Sequence, residues 1–332
     1  MATNFYHRKL SENRAILAPM AGYTDAPFRK LCREFGSNWA VTEMVSAKGL
    51  VQGDLRGIEI GEPYVGEPDL VIQVFGGEPD IVAEGGKILY DKYQPDALDL
   101  NMGCPVKKIT GKSCGSKLMQ DPERAADIIR QLVDAVPIPV SAKMRLGYDR
   151  VNVLEVALAL QEAGVSVIAV HGRTAEQKYT GESKWEAIKE VADQLTIPVI
   201  GSGDVQTKEQ FDRYRTWGLG VMIARGAMGR PWVFAELQGQ EKPSNLEIAE
   251  LAYRHAKLHC EWYKTENPES ELYAMRSLRS QLIHYFSFMP EARSNVAHLE
   301  SLEQLRKFIK TYFGVGIPLS SLQKEQSPLA IV

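Results

Sequence analysis

The amino-acid sequence predicts an α/β fold, namely a TIM (β/α)8 barrel followed by a smaller all-α helical bundle. Eight short segments rich in β-branched residues recur about every thirty residues, and segments with helical apolar spacing separate most of them. This alternation continues for about 225 residues, which is the usual size of eight βα units. Beyond residue 245 the strand-like segments stop and the apolar spacing is helical throughout. The two patterns therefore predict a barrel with a helical appendage.

The predicted elements follow one another regularly along the chain. The eight strands are predicted at 15–20, 39–44, 70–76, 97–103, 138–145, 166–172, 197–203 and 220–226. Helices are predicted at 26–35, 79–93, 121–134, 151–163, 184–195 and 207–217, whereas 45–69 is less clearly helical. Asp121 followed by Pro122 is a typical helix start, because Asp caps the first turn and Pro fits its first position. An open doubly wound sheet is the alternative, but no GxGxxG turn follows the first strand and the strand count is eight.

A domain boundary is predicted near residue 240. The segment QGQEKPSN (238–245) is polar and contains Pro243, as expected of a linker. We therefore predict a catalytic barrel at 1–240 and a helical domain at 241–316. Three amphipathic helices are predicted in the helical domain, at 246–264, 268–288 and 297–313. The Ser/Gln/Pro-rich segment 317–332 is predicted to be a loosely ordered tail.

Composition excludes several classes of protein. The 39 basic and 42 acidic side chains give a net charge of −3, so any contact with a nucleic acid must depend on a local basic patch. No apolar segment approaches the roughly 20 residues of a membrane span. The first fifteen residues lack the apolar core of a signal peptide, and four cysteines in a chain of this length indicate reduced thiols. We expect a cytoplasmic protein that is not bound to a membrane.

Barrel enzymes carry their sites at the carboxyl ends of the strands, so the residues at those ends, most of them polar, are the candidates. They are Met20, Gln73, Asn101, Lys143, Arg145, His171, Ser202, Gly203, Asp204 and Arg225. The sequences GSGD after the seventh strand and ARG after the eighth favour a phosphate site formed by backbone N–H groups and Arg225. The alternative is that Gly201 and Gly203 only permit a tight turn.

Lys143 lies within a predicted barrel strand, where an unpaired ammonium is unfavourable. A flavin would supply an electron-rich partner for it, and Gln73 offers both a donor and an acceptor for the pyrimidine edge of the ring. The alternatives are an internal ion pair or a Schiff base for Lys143, and a bond to nearby backbone for Gln73. His171 is assigned to cofactor or substrate contact, with a purely structural role as the alternative.

The loop after the fourth strand, residues 101–120, contains four lysines and no acidic residue. Beside the barrel mouth it would attract a polyanionic substrate, although a solvated lysine loop is the alternative. Cys104 lies in this loop, where a protonated thiol can donate a proton. Cys104 and Cys114 lack histidine partners at metal-ligand spacing, so no metal site is predicted.

Seven segments are distinctive when taken together: APMAGYTDAPFR (18–29), IQVFG (72–76), LDLNMGCPVKKITGKSCGSKLM (98–119), AKMRLG (142–147), VHGRT (170–174), GSGDV (201–205) and MIARGAMGRPW (222–232). In order and spacing they resemble the tRNA-dihydrouridine synthases, and the likeness is strongest to the bacterial B-type subgroup. NMGCP with the loop after it is the most specific of these elements. That subgroup often has Asn where Ser202 stands and Gly where Ala224 stands, so we expect altered phosphate contacts rather than loss of FMN.

The resemblance implies an FMN-dependent oxidoreductase that reduces the C5=C6 bond of specific tRNA uridines, with NADPH as the usual electron donor. Reduced FMN would deliver hydride from N5 to uracil C6, and the Cys104 thiol would protonate C5 from the opposite face. Asn101 and Arg145 are candidates for contacts to the uracil edge and a nearby phosphate. The residues implied to hold FMN are Pro19, Met20, Ala21, Gln73, Lys143, His171, Ser202, Gly203, Asp204, Ala224 and Arg225.

The helical domain would then bind the tRNA body. The target base must leave the RNA stack to lie against a flavin, so a loop uridine is expected, and the resemblance favours the D-loop. Basic and aromatic residues occur between 246 and 313, but acidic residues nearly balance them. An ordinary three-helix bundle with a charged surface is the alternative.

Three rival functions remain open at this point. A small-molecule FMN oxidoreductase would share the flavin site but gives no reason for the lysine-rich loop or the helical domain. A flavin-bearing RNA-binding protein without catalysis would need no proton donor at Cys104. An aldolase acting through a Lys143 Schiff base would need no flavin.

Overall fold

A computed structural model describes residues 4–12 and 15–314, and every structural statement below concerns these residues. The predicted tail at 317–332 lies outside them. The described chain divides into two compact units. The first comprises the residues up to Ala227 together with Pro231–Gln240, and the second comprises Met228–Arg230 together with the residues from Glu241 onward.

The first unit is a closed barrel of eight parallel strands. The strands pair in chain order, and the last returns to the first. Their bounds are β1 Ala15–Leu17, β2 Ala40–Ser46, β3 Leu70–Phe75, β4 Ala97–Met102, β5 Val140–Arg145, β6 Val167–His171, β7 Val199–Ser202 and β8 Gly220–Ile223. The predicted TIM barrel is therefore confirmed and the open sheet is excluded. Strand β1 ends earlier than predicted, since Pro19 lacks the N–H needed to continue the pairing.

Side chains on these strands alternate between the barrel interior and the surrounding helices. The inward side chains nearer the strand starts are mostly apolar: Ile16, Val41, Val71, Ala97, Val167, Ala169, Ile200 and Met222. Further along the same strands the inward positions become polar, as with Gln73 after Val71 and Asn101 after Ala97. The polar side chains therefore collect at the carboxyl ends of the strands.

A short amino-terminal helix, α1 (Phe5–Glu12), lies at the amino-terminal end of the barrel. The sequence analysis did not identify it, because the first fifteen residues are mostly polar. The ring of Tyr6 lies 6.1 Å from that of Trp39, which immediately precedes β2. The Tyr6 hydroxyl donates to the Ser141 hydroxyl, near the start of β5, over 2.8 Å. Buried aromatic contacts therefore hold α1 across the barrel floor.

The remaining helices of the first unit lie between the strands or follow β8. They are α2 Ala26–Glu34, α3 Ala47–Val51, α4 Leu55–Ile60, α5 Pro79–Tyr93, α6 Lys107–Thr110, α7 Pro122–Ala135, α8 Val153–Glu162, α9 Trp185–Gln194, α10 Lys208–Thr216 and α11 Val233–Leu237. The segment 45–69, predicted as less clearly helical, contains the two short helices α3 and α4. The predicted cap at Asp121 is confirmed, since its carboxylate accepts from the Arg124 N–H over 3.0 Å.

The second unit is helical, as predicted. Its helices are α12 Asn245–Trp262, α13 Pro268–Tyr285, α14 Arg293–Val296 and α15 Leu302–Phe313. Ser244 starts α12 through a reciprocal capping box with Glu247. Helix α15 starts later than the predicted residue 297, because the Ser301 hydroxyl caps its first turn by accepting from the Gln304 N–H.

Among the residues the structure describes, no helix combines the length and the apolar character that crossing a membrane would require.

A fully buried ion pair anchors the loop after β1. The Arg29 guanidinium binds both carboxylate oxygens of Glu67 over 2.7 Å each and donates to the Thr24 carbonyl. Replacing Arg29 by Ala leaves a buried carboxylate without its cation, so we expect the free energy of unfolding to fall by about 3–5 kcal/mol. Denaturant titration followed by circular dichroism measures the loss.

The matched control for this prediction is Lys87→Ala. Lys87 pairs with Asp91 on the exposed surface of α5, and its loss should cost less than about 0.5 kcal/mol. Equal losses for the two variants would contradict the assignment of Arg29 as a buried anchor.

Candidate active site

Six polar side chains predicted at the site reach the barrel interior from five neighbouring strands. They are Gln73 on β3, Asn101 on β4, Lys143 and Arg145 on β5, His171 on β6 and Ser202 on β7. The strand register places Asn101 beside Lys143, Arg145 beside His171, and His171 beside Ser202. The other predicted residues follow strand ends at the same face: Pro19, Met20 and Ala21 after β1, Gly203 and Asp204 after β7, and Ala224 and Arg225 after β8.

A chain of hydrogen bonds joins the loop after β4 to the barrel interior. The Cys104 N–H donates to Asn101 Oδ1 over 3.0 Å, and Asn101 Nδ2 donates to Gln73 Oε1 over 2.7 Å. Gln73 Nε2 in turn donates to Asp99 Oδ2 over 2.6 Å. The Gln73 side chain therefore binds two other side chains, not the nearby backbone that was its alternative partner.

The Lys143 ammonium is half-buried and has neither a hydrogen-bond acceptor nor an acidic partner among residues 4–12 and 15–314. Burial and the nearby charge of Arg145 lower its pKa to about 8, and the Asp99 carboxylate opposes the shift. The described residues contain no internal ion pair for Lys143, which was the alternative interpretation. An ammonium in this position suits an anionic or electron-rich ligand.

His171 is neutral in this site. Burial, followed by the charges of Lys143 and Arg145 and of two further arginines, lowers its pKa to about 2. Arg173 Nη1 lies 3.3 Å from His171 Nε2, and since the guanidinium can only donate, the ring proton is assigned to Nδ1. His171 can therefore offer an N–H donor to a ligand.

Asp204, after β7, orients two arginines. One carboxylate oxygen accepts from Arg173 and from the Ser183 N–H, and the other accepts from Arg225 Nη2 over 2.9 Å. Burial raises the pKa of Asp204, but these bonds outweigh it, so the pKa lies below the ordinary value. The guanidinium of Arg225 stays half-exposed at the mouth, where it can bind an anion.

The glycines of the GSGD segment leave room for neighbouring side chains. A Cβ on Gly201 would lie 2.1 Å from a ring carbon of Trp185, and one on Gly203 would lie 2.1 Å from the Ser183 hydroxyl. Gly203 also has φ +129°, a backbone conformation that side chains rarely adopt. Gly201 is thus explained by packing, and Gly203 by packing together with its backbone conformation.

The loop after β4 is fixed where it leaves the strand. The Cys104 carbonyl accepts from the backbone and the hydroxyl of Ser116, and Arg145 Nε donates to the Gly103 carbonyl over 2.8 Å. Of the four cysteines in the sequence, all lie in the described residues, and Cys104 alone is not buried. The structure thus holds an accessible thiol beside Asn101.

Arg145, predicted to contact substrate, also organises two loops. Besides the Gly103 carbonyl, its guanidinium binds the carbonyls of Thr174 and Lys178 over 2.9 Å each. These bonds use Nε and Nη1, so Nη2 has no partner in the part of the chain that the structure describes. One guanidinium nitrogen is therefore available to a ligand.

Tyr179 is a site residue that the sequence analysis missed. Its ring is 56% exposed and lies near both arginines of the mouth, 4.7 Å from the Arg225 guanidinium carbon and 5.7 Å from that of Arg145. Its position in the loop after β6 could have identified it, since every βα loop of a barrel reaches the mouth. An exposed aromatic face of this kind can stack against a planar ligand.

Three of the four lysines in the loop after β4 are exposed: Lys107, Lys108 and Lys112. None has an acidic partner among the described residues. The fourth, Lys117, lies over the Tyr148 ring with its nitrogen 4.7 Å from the ring centre. This segment accordingly carries uncompensated positive charge.

Several basic residues of the second unit have acidic partners. Arg276 pairs with Glu300, and both Arg306 and Lys307 pair with Glu303. These pairs agree with the near balance of charges seen in the sequence. The predicted tRNA-binding role of residues 241–316 stays a prediction.

Comparison with known proteins identifies related sequences over nearly the whole chain. The family model described as dihydrouridine synthase (Dus) matches residues 16–313. A "Probable tRNA-dihydrouridine synthase" of Rhizobium leguminosarum bv. phaseoli is 38% identical over 277 residues, covering 82% of this chain and 85% of the relative. A "tRNA-dihydrouridine synthase B" of Pseudomonas syringae pv. tomato is 34% identical over 323 residues and covers 92% of each chain.

Solved structures share the fold at much lower identity. The histamine dehydrogenase from Rhizobium sp. 4-9 superposes with a TM-score of 0.53 at 12% identity, over 69% of this chain and 46% of that one. A 2-naphthoyl-CoA reductase complex superposes with a TM-score of 0.52 at 9% identity, over 69% of this chain and 50% of that one. At such identities the likeness establishes the barrel fold alone.

The lowered pKa of Lys143 makes a prediction about stability. In flavin-free protein, Lys143 releases its proton at about pH 8 when folded and near its ordinary 10.5 when unfolded. At Lys143 the unfolded state therefore binds more protons in this window, so the contribution of Lys143 to the free energy of unfolding should rise with pH across it. Lys143→Met should unfold at higher denaturant concentration than the wild type near pH 7, and this advantage should shrink towards about pH 10.

Denaturation curves of Lys143→Met and the wild type at several pH values check this, with Lys87→Met at an exposed position as the control for the Lys→Met change itself. A difference between Lys143→Met and the wild type that does not vary with pH would contradict the account of Lys143.

Proposed function

The chain belongs to the dihydrouridine synthase family, and on that basis we propose that it reduces the C5=C6 bond of specific uridines in tRNA, with bound FMN as its cofactor and NADPH as the electron donor. One observation carries the proposal. The unpartnered ammonium of Lys143 lies beside Asn101, which binds the backbone of Cys104 through its side chain. Lys143, the partner of an electron-rich ring, and Asn101, which binds the residue that would donate the proton, would thus lie on adjacent strands.

The residues present fit a flavin mononucleotide. Ser202, Gly203, Ala224 and Arg225 would hold the phosphate, and Asp204 would keep Arg225 in place. At the other end of the cofactor, Gln73, Lys143 and the His171 N–H would hold the ring, and Pro19, Met20 and Ala21 would line its edge from β1. The cofactor supplies hydride chemistry when bound. Lys143 would stabilise the negative charge that develops on the ring.

The protein's own part in the reaction is to hold the base and supply a proton. Asn101 and the free Nη2 of Arg145 would bind the edge of the uracil and a nearby phosphate. As C6 of the base receives hydride, negative charge reaches C5 and O4, and the Cys104 thiol would give its proton to C5. The anchored backbone of Cys104 would hold the donor on one face of the base.

A tRNA substrate fits the charge distribution of the loop after β4. Its exposed lysines would attract the phosphate backbone, and the target uridine would leave its stack to enter the barrel mouth. Residues 241–316 would bind the body of the tRNA, with the D-loop as the preferred target. Such a substrate would place the protein in the cytoplasm.

The test of this function is direct. Purified protein is incubated with unmodified tRNA and NADPH, and dihydrouridine is measured by mass spectrometry of the digested tRNA. A yellow protein that forms dihydrouridine supports the proposal. Turnover of free pyrimidines without any product in tRNA would overturn it in favour of a small-molecule oxidoreductase. A colourless protein in which borohydride reduces an imine between Lys143 and a carbonyl substrate to a stable amine would point to a Schiff base instead.

The role of Cys104 as the acid makes a quantitative prediction. Cys104→Ala should lose about 10²–10⁴-fold in the rate of uridine reduction, which is the usual contribution of a positioned acid. The variant should still bind FMN and tRNA and still oxidise NADPH. Single-turnover reduction of unmodified tRNA measures the effect.

Cys114→Ala is the matched control, because Cys114 lies in the same loop but is buried. It should keep the wild-type rate. Wild-type activity in Cys104→Ala would rule out Cys104 as the proton donor.

A further inference from the structure

Asp99 is a buried carboxylate in the middle of β4, and neither the predicted site nor the reaction proposed above uses it. It is 3% exposed and faces the barrel interior between Ala97 and Asn101. Its Oδ2 accepts from Gln73 Nε2 over 2.6 Å, and its Oδ1 accepts from the Ser141 hydroxyl over 2.5 Å. Both oxygens of this group are thus bound by side chains of the neighbouring strands.

The direction of these bonds is set by Asp99. Because Asp99 Oδ2 accepts here, the Gln73 amide turns its nitrogen towards Asp99 and its oxygen towards Asn101. Asn101 must then turn its own nitrogen towards Gln73, which leaves its Oδ1 for the N–H groups of Gly103 and Cys104, at 3.3 and 3.0 Å. One carboxylate therefore fixes the orientation of two amides.

The far side of Asp99 is anchored to the barrel floor. The Ser141 hydroxyl that donates to Asp99 accepts from the Tyr6 hydroxyl over 2.8 Å. Tyr6 is 1% exposed and packs edge-on against Phe5 and Trp39. The hydrogen-bonded chain thus runs from α1 through the barrel to the loop that carries the accessible thiol.

We infer that Asp99 is a positioning residue, which orients the Gln73 and Asn101 amides and through Asn101 holds the start of the Cys104 loop in its reactive arrangement. The role in the reaction rests on the function proposed above, whereas the orientation of the amides does not. Stability alone gives a poor reason for a carboxylate here, since an apolar side chain of similar size avoids the cost of desolvation. Burial raises the pKa of Asp99. The bonds from Ser141 and Gln73 and the charge of Lys143 each oppose this rise.

The test compares two substitutions of Asp99. Asp99→Leu removes both acceptors, so the Gln73 amide is free to turn and Asn101 loses its fixed orientation. Asp99→Asn keeps one acceptor, which can still take the Gln73 N–H while Ser141 turns its hydroxyl towards the Leu98 carbonyl. The matched control is Ser37→Ala, which removes another buried hydroxyl at the barrel floor that is bonded to Leu17 and Trp39 and has no part in the chain.

Two readouts separate positioning from folding. The first is the rate at which iodoacetamide alkylates Cys104, which requires neither flavin nor tRNA, with Cys104→Ala as the blank because the other three cysteines are buried. The second is the pair of kinetic constants for tRNA, with kcat calculated per bound flavin and KM measured alongside it. We expect Asp99→Leu to change the alkylation rate at least threefold and to lower kcat at least tenfold, with less than a threefold change in KM. Asp99→Asn should lie between this variant and the wild type, and Ser37→Ala should lose stability without either effect.

A folded Asp99→Leu variant with wild-type alkylation and kcat would overturn the inference. If that variant does not fold, Asp99→Asn decides: a loss of at least threefold in kcat supports the role, and wild-type values in both readouts overturn it. A wild-type protein that does not reduce tRNA at all would instead refute the proposed function, and the alkylation rates would still test the orientation of the loop.

Discussion

Side chains on a closed parallel barrel alternate between the interior and the helices, and this alternation determines where the site is. The same inward face of each strand is apolar near its start and polar near its end, as Val71 precedes Gln73 and Ala97 precedes Asp99. Because the strands are parallel, all the polar ends meet at one mouth. Helix α1 and its aromatic contacts close the opposite end, and the buried polar side chains near it bind one another, as Tyr6, Ser141 and Asp99 do.

The electrostatics of the mouth follow from that arrangement. Four cations lower the pKa of His171: Lys143, Arg145, Arg173 and Arg225. Asp204 compensates two of them by direct contact, and Asp99 acts on Lys143 without contacting it. An excess of positive charge remains, and it faces the space where a phosphate and an electron-rich ring are proposed to bind. The exposed lysines of the loop after β4 continue this charge outwards, which links the cofactor site to the proposed RNA substrate.

Much of this could be predicted from the sequence, because periodicity and strand-end residues are local signals. Eight strands, the helical second unit and the polar residues at the strand ends are all visible in the residues themselves. Helix α1 was missed because its buried residues are interspersed with charged ones, and its packing depends on Trp39, far along the chain. Asp99, Arg173 and Tyr179 were missed because their roles depend on partners from other strands and loops, such as Ser141, Asp204 and Arg225. Arg145 was identified, but its bonds to three carbonyls could not be inferred without the fold.

The relatives named as tRNA-dihydrouridine synthases cover nearly the whole chain, and the proposed function uses residues at the ends of seven of the eight strands. The central claim is that this chain makes dihydrouridine in tRNA through Cys104. The most direct measurement is mass-spectrometric mapping of dihydrouridine in tRNA from a strain in which the gene is deleted, complemented with the wild-type or the Cys104→Ala chain. The account predicts that dihydrouridine disappears from defined positions, returns with the wild type and does not return with the variant. An unchanged map after deletion, or full restoration by the variant, would contradict it.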